Sequence, residues 1–220
     1  HYPLRRQRQM CIETGLEGNA GNDTLLGEAG NDSIYGGAGN DSSVGGDGAD
    51  YFEDSEGNNT AQGGAGNDTI YGAGLIEGGD DNDNLNYYGY NYNGQTAATV
   101  LGGAGNDLIQ EWGTNIDGAI LDGGDGNDTI NGSSRAETLL GGSGNDLIDA
   151  NSGADSIDGG SGDDTITGDA GNDTIEGGGG VDVVTYSGNQ SNYLITQNAG
   201  VYTVQDLSLI HISEPTRRTP

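Results

Sequence analysis

Between residues 15 and 206 the chain has no cysteine, histidine, methionine or proline, and Arg135 is its one basic residue there. Without Cys or His, neither a Ser/His/Asp nor a Cys/His nucleophile can be assembled, and no H-E-x-x-H zinc motif exists, so this stretch is expected not to be an enzyme. Basic residues are scarce throughout. Six Lys+Arg stand against 35 Asp+Glu, a formal net charge of −29, which excludes nucleic acid as a partner. Apolar residues make up 31% of the chain. No apolar run approaches the roughly 18 residues of a membrane span, so neither a span nor a thick globular core is expected. Three prolines, with no three-residue glycine period, exclude collagen in spite of 45 glycines.

The scarce residue types gather at the ends. All three prolines, both histidines, Cys11, Met10 and five of the six bases lie in 1–14 or 207–220. Leu207 to Arg217 reads LSLIHISEPTR and Arg5 to Ile12 reads RRQRQMCI. Both resemble sequencing-library adapter translated in frame. Segments 1–14 and 207–220 are therefore expected to be adapter-derived and not structural, and His1, Cys11 and His211 are assigned no function.

The middle is periodic. Glycine followed two residues later by aspartate recurs in phase every nine residues. Units begin at Gly18, Gly27, Gly36, Gly45, Asp54 and Gly63, and again at Gly123, Gly132, Gly141, Ala150, Gly159, Gly168 and Gly177. Isolated units start at Gly78 and Gly102. This divides the chain into a first array (15–71), an irregular segment with isolated repeats (72–122), a second array (123–185) and a β-rich stretch (186–206).

Units such as GGAGNDTIY from Gly63 resemble the nonapeptide G-G-x-G-x-D-x-U-x of the RTX (repeats-in-toxin, haemolysin-type) calcium-binding family, with U a large apolar residue. The resemblance covers about 15–206. It implies an all-β fold, a parallel β-roll stabilised by calcium, with a short C-terminal β-rich cap. It also implies a secreted bacterial protein, exported unfolded by a type I system and folding outside the cell or at its surface. The family's C-terminal secretion signal would lie beyond Asp206.

The residue types agree with that chemistry. Glycines at positions one, two and four permit φ > 0 and bare the backbone carbonyls. Aspartate at position six adds a charged oxygen. Calcium takes six to eight oxygen ligands in irregular geometry, which magnesium tolerates less well. Positions seven to nine set one apolar residue between two outward ones, as a short strand requires, so Ile34, Ile70, Ile130, Ile148, Ile157, Ile166 and Ile175 should point inward.

If each unit is one turn plus one strand, two units make a coil and residues eighteen apart share an edge. Asp23 then faces Asp41, Asp32 faces Asp50, and Asp50 faces Asp68. In the second array Asp128, Asp146, Asp164 and Asp182 line one edge, with Asp155 and Asp173 on the other. Asp83 and Asp107, from the isolated units, complete the expected ligands. Asn59 should weaken a site shared with Asp41, and Glu137 one shared with Asp155. Seven ions are expected from the paired positions. The apolar column is too narrow to order a glycine-rich backbone alone, so calcium binding and folding are expected to be one process.

Other readings stay open. Asp80 to Asp83 suggests an EF-hand loop but lacks its sixth-position glycine and closing Glu. The tyrosines of YYGYNY at 87–92 form an outward loop or a packing cap, Trp112 packing likewise; stacking on a sugar is the alternative. Stretches 181–186, 193–197 and 201–205 are expected as strands that cover the open end of the roll. The roll could serve as the stalk of a surface adhesin or the accessory domain of a secreted protease or lipase. A protein or glycan partner is not indicated, and whether the arrays form one roll or two is undecided.

Overall fold

The computed structural model describes residues 6–8, 15–88, 98–112, 117–185, 193–198 and 201–206. Strands and turns make up these residues, with no helix among them. The strands stack in parallel, each hydrogen-bonded to the strand one full coil away, so the fold is a parallel β-roll.

Two columns of inward side chains form the core. On one face the register runs Leu16, Ile34, Phe52, Ile70, Leu85, Ile109, Ile130, Ile148, Ile166 and Val184. On the other it runs Leu25, Ser43, Ala61, Ile76, Val100, Leu121, Leu139, Ile157 and Ile175. All seven isoleucines expected to point inward are buried, each contributing about 1.5–3 kcal/mol on removal from water. Phe52, the one phenylalanine, lies in the half-coil between Ser43 and Ala61, where its ring makes up for two small neighbours. Both columns pass through the irregular segment without a break. The two arrays are one continuous roll.

The segment 72–122 joins the roll through coils of unequal length, all distorted on the same side. From the second face to the first the step is always nine residues, as from Ala61 to Ile70, Ile76 to Leu85 and Val100 to Ile109. From the first face to the second it is nine in both arrays, but six from Ile70 to Ile76, fifteen from Leu85 to Val100 and twelve from Ile109 to Leu121. The short step is made by Gly72-Ala73-Gly74, where Gly74 takes φ +95°.

The coils stack backbone on backbone at the turns. Gly124 has φ +102° and Gly126 φ +139°, and a Cβ on Gly124 would run into the carbonyl of Gly103 one coil earlier. Only glycine meets both demands, the backbone angle and the approach.

After Val183–Thr185, which still pairs in parallel with Thr165–Thr167, the direction changes. Tyr193–Asn198 and Val201–Asp206 form an antiparallel hairpin, and Val201–Asp206 pairs antiparallel with Thr174–Glu176. The β-rich stretch thus ends the parallel stacking by taking the last free strand edge of one face. At the other end Arg6–Arg8 pairs in parallel with Thr24–Ala29.

Tyr87 turns inward and is buried, whereas Tyr88 stacks on Tyr71. With Tyr51 and Tyr35 these rings make an outward ladder with centroids 6.0, 5.8 and 6.1 Å apart. Tyr90 and Tyr92 lie outside the described residues. Trp112 is 55% exposed and its indole N–H donates to Asn86 Oδ1 at 3.1 Å.

Candidate metal centre

Each turn delivers its position-six residue to one of the two edges, and there the backbone of one coil binds the side chain of the next. On the first edge the amide of Asp32 donates to Oδ1 of Asp50 at 2.7 Å, and that of Asp50 to Asp68 at 2.7 Å. The ladder continues from Asp68 to Asp83, Asp83 to Asp107, Asp107 to Asp128, Asp128 to Asp146, Asp146 to Asp164 and Asp164 to Asp182, at 2.7–3.1 Å. It bridges coils of 15, 24 and 21 residues as well as those of 18. Asp83 and Asp107, isolated in the sequence, are therefore interior members of an unbroken row.

The second edge is interrupted. The amide of Asp23 donates to Asp41 and that of Asp41 to Asn59 Oδ1, at 2.8 and 2.9 Å. Further along, the amide of Glu137 donates to Asp155 and that of Asp155 to Asp173, at 2.9 and 3.1 Å. Between these groups Gly74, Ala98 and Ala119 hold the equivalent positions, two residues before Ile76, Val100 and Leu121. The Asn59 side chain keeps the hydrogen-bond pattern, whereas Glu137 keeps it only through its amide, its carboxylate accepting from Ser133 instead.

A second ladder, not anticipated from the sequence, runs along position five. The amide of Asn40 donates to Asn22 Oδ1, Asn58 to Asn40, Asn106 to Asn82, Asn127 to Asn106 and Asn145 to Asn127. Here each side chain reaches forward to the following coil, whereas the aspartates reach back. The signal was the recurring Asn before Asp, as in GND.

One carboxylate oxygen of each regular site is left over. Oδ2 of Asp23, Asp32, Asp41, Asp50, Asp68, Asp83, Asp107, Asp128, Asp146, Asp155 and Asp164 is buried with no hydrogen-bond partner. In most units this oxygen lies over the unit's own position-one glycine: a Cβ on Gly45, Gly63, Gly123 or Gly159 would strike Asp50, Asp68, Asp128 or Asp164 and a carbonyl of the next coil. Burial pushes the carboxyls of Asp68, Asp128 and Asp146 up to about 6 and those of Asp83 and Asp155 up to about 7. The accepted amide opposes this, and neighbouring carboxylates add to it. Arg135, the one base between residues 15 and 206, faces Asp117 at 3.6 Å.

Buried carboxylate oxygens without donors are costly unless a cation meets them. The donor set is all oxygen, which suits a hard cation rather than zinc or copper. Among the described residues no three Asp, Glu, His or Cys side chains converge, so a shell of six to eight oxygens would need backbone carbonyls beside the carboxylates. The residues present fit calcium.

Two further acids point inward from position one of their units. Asp54 is buried, its carboxylate occupies the space above Gly36, and its Oδ1 has no partner. Burial, then the charge of Asp41 and that of Glu56, pushes it up to about 8. Glu111 is buried with Oε2 unpartnered. Burial, then Glu137, pushes it up to about 8, with a hydrogen bond to Ser133 opposing and Asp155 adding to the rise. Ser133 also donates its hydroxyl to Glu137. Neither residue is at the motif's acidic position, which is why the repeat pattern passed over them.

A β-solenoid with turn carboxylates paired between coils defines a cation-holding repeat protein. The model of the RTX calcium-binding nonapeptide repeat matches residues 16–43, 44–74, 92–110, 120–134, 131–166 and 158–189. These spans cover more than half of the chain, and it belongs to that family. A comparison with curated proteins found no match.

Proposed function

We propose that the chain is a non-catalytic, calcium-dependent folding module of a secreted protein. The observation that carries this reading is the row of buried, partnerless Oδ2 atoms along the first edge. Calcium sits in the gaps between successive position-six aspartates, from Asp32 to Asp182 on the first edge and at both ends of the second. The unbroken first edge alone offers more gaps than the seven sites expected from the arrays taken separately. At low calcium, as inside a cell, the carboxylates repel and the narrow core is insufficient; at millimolar calcium outside, the ions supply the missing counter-charge and the roll forms.

Far-UV circular dichroism during a calcium titration, with equal magnesium as control, tests it. A transition from coil to β in calcium alone supports the module. A β spectrum independent of calcium refutes metal-driven folding.

A further inference from the structure

The second edge loses its acids in the middle of the roll, and at both borders of that gap an acid appears where the motif has glycine. At the near border position six is Asn59, not aspartate, and position one of the same unit is Asp54. The Asp54 carboxylate lies over Gly36, the place that in regular units belongs to the unit's own position-six aspartate. Asn59 holds the site together, accepting from the Asp41 amide at 2.9 Å and donating Nδ2–H to the Asp54 carbonyl at 3.1 Å. Asp41 Oδ2 and Asp54 Oδ1 are both buried and unpartnered. At the far border position six is Glu137, and Glu111 occupies position one in the preceding coil, in register with Gly132. Ser133 donates its hydroxyl to Glu137, and Glu111 Oε2 lies buried without a partner. Asp54 is 6% and Glu111 8% exposed.

We propose that Asp54 and Glu111 are calcium ligands of two variant sites, Asp54 with Asp41 and Glu111 with Glu137, in which a carboxylate moved from the turn to position one restores the second charge that the regular pairing has lost. A core-facing acid with a bare oxygen serves no packing purpose that the consensus glycine would not serve better. Placed one coil spacing from a second acid whose charge it feels, it offers a divalent ion two carboxylates. The inference rests on the calcium reading of the regular sites. It adds two ions that the nonapeptide motif does not assign and extends both ends of the second edge to the margins of the gap.

The test is the number of calcium ions bound per full-length chain, by equilibrium dialysis with metal analysis at saturating calcium, for the parent, Asp54→Asn and Glu111→Gln. These substitutions keep side-chain volume and one acceptor oxygen. Asp54→Gly and Glu111→Gly, which restore the consensus residue, form a second pair should either amide variant fail to regain the parent's circular dichroism in calcium. Loss of one ion per substitution, with the parent's spectrum retained, is the expected result. Full ion count in all four variants overturns the assignment while leaving the regular sites standing. A parent that binds no calcium at all removes the underlying reading instead, so the two failures are told apart.

Discussion

The backbone amide of Asp128 donates to Oδ1 of Asp146, one coil further on, at 2.8 Å, and Oδ2 of both residues remains buried without a partner. One oxygen of each carboxylate is thus committed to holding coils in register, and the other is available to an ion. The two tasks can be separated by substitution.

Asp146→Asn keeps the acceptor for Asp128 and removes the charge. In calcium it should lose an ion and shift the calcium midpoint upward. A site held at a hundredfold excess over its Kd contributes about 2.7 kcal/mol, so stability in calcium should fall by about that amount. Chemical denaturation at two calcium concentrations that both fold the chain reads this directly; a loss that does not change with calcium would mean the register role alone was affected.

Ile130 is fully buried between Ile109 and Ile148 in its column. Its replacement by Ala should lower stability in saturating calcium by about 2–5 kcal/mol. Leu147, its half-exposed neighbour, should tolerate the same change with a loss under about 1 kcal/mol. Thermal melts of the two variants should separate clearly.

Gly124→Ala introduces a Cβ at φ +102° and against the Gly103 carbonyl. A loss of more than about 1 kcal/mol is expected, with a higher calcium requirement because the strained turn must be closed by the ion. Asp125→Ala, at the exposed next position, should leave the melting temperature nearly unchanged.

The calcium-free chain should respond to pH in the sense opposite to most acidic proteins. Folding raises the carboxyls of Asp54 and Glu111 to about 8 and those of Asp83 and Asp155 to about 7, from about 4 in the unfolded chain. A raised native pKa means that the folded state holds its protons more tightly. The stabilisation is therefore complete below about pH 4 and is lost as pH rises through about 7 to 8. Circular dichroism without calcium should show β structure gained on acidification, and the calcium midpoint should rise as pH falls because protons compete for the same oxygens.

The regular arrays were legible because the physics there is local and repeated. A glycine pair, an aspartate and one apolar residue, returning in phase, specify turn, ligand and strand without reference to anything distant. Ile34, Ile70 and Ile166 accordingly lie where the period puts them, and Asp23 meets Asp41 as the eighteen-residue coil requires. The middle was not legible because its coil lengths are set by which strand finds a free neighbour. Nothing local to Gly72-Ala73-Gly74 announces a six-residue half-coil; it follows from Ile76 pairing with Ala61 behind it and Val100 ahead. Asp54 and Glu111 escaped notice for a related reason. Their role depends on Asp41 and Glu137 one coil away, contacts that no nine-residue window contains.

All the departures from regular coil length fall on the side of Gly74, Ala98 and Ala119, while the opposite margin keeps its step of nine throughout. The molecule therefore has a spine and an outline that vary independently. Segments on the irregular margin can lengthen, shorten or change composition without moving any carboxylate of the other by even one strand spacing, about 4.8 Å. A lineage of such chains could diversify one profile while preserving a ruled line of charge along the other.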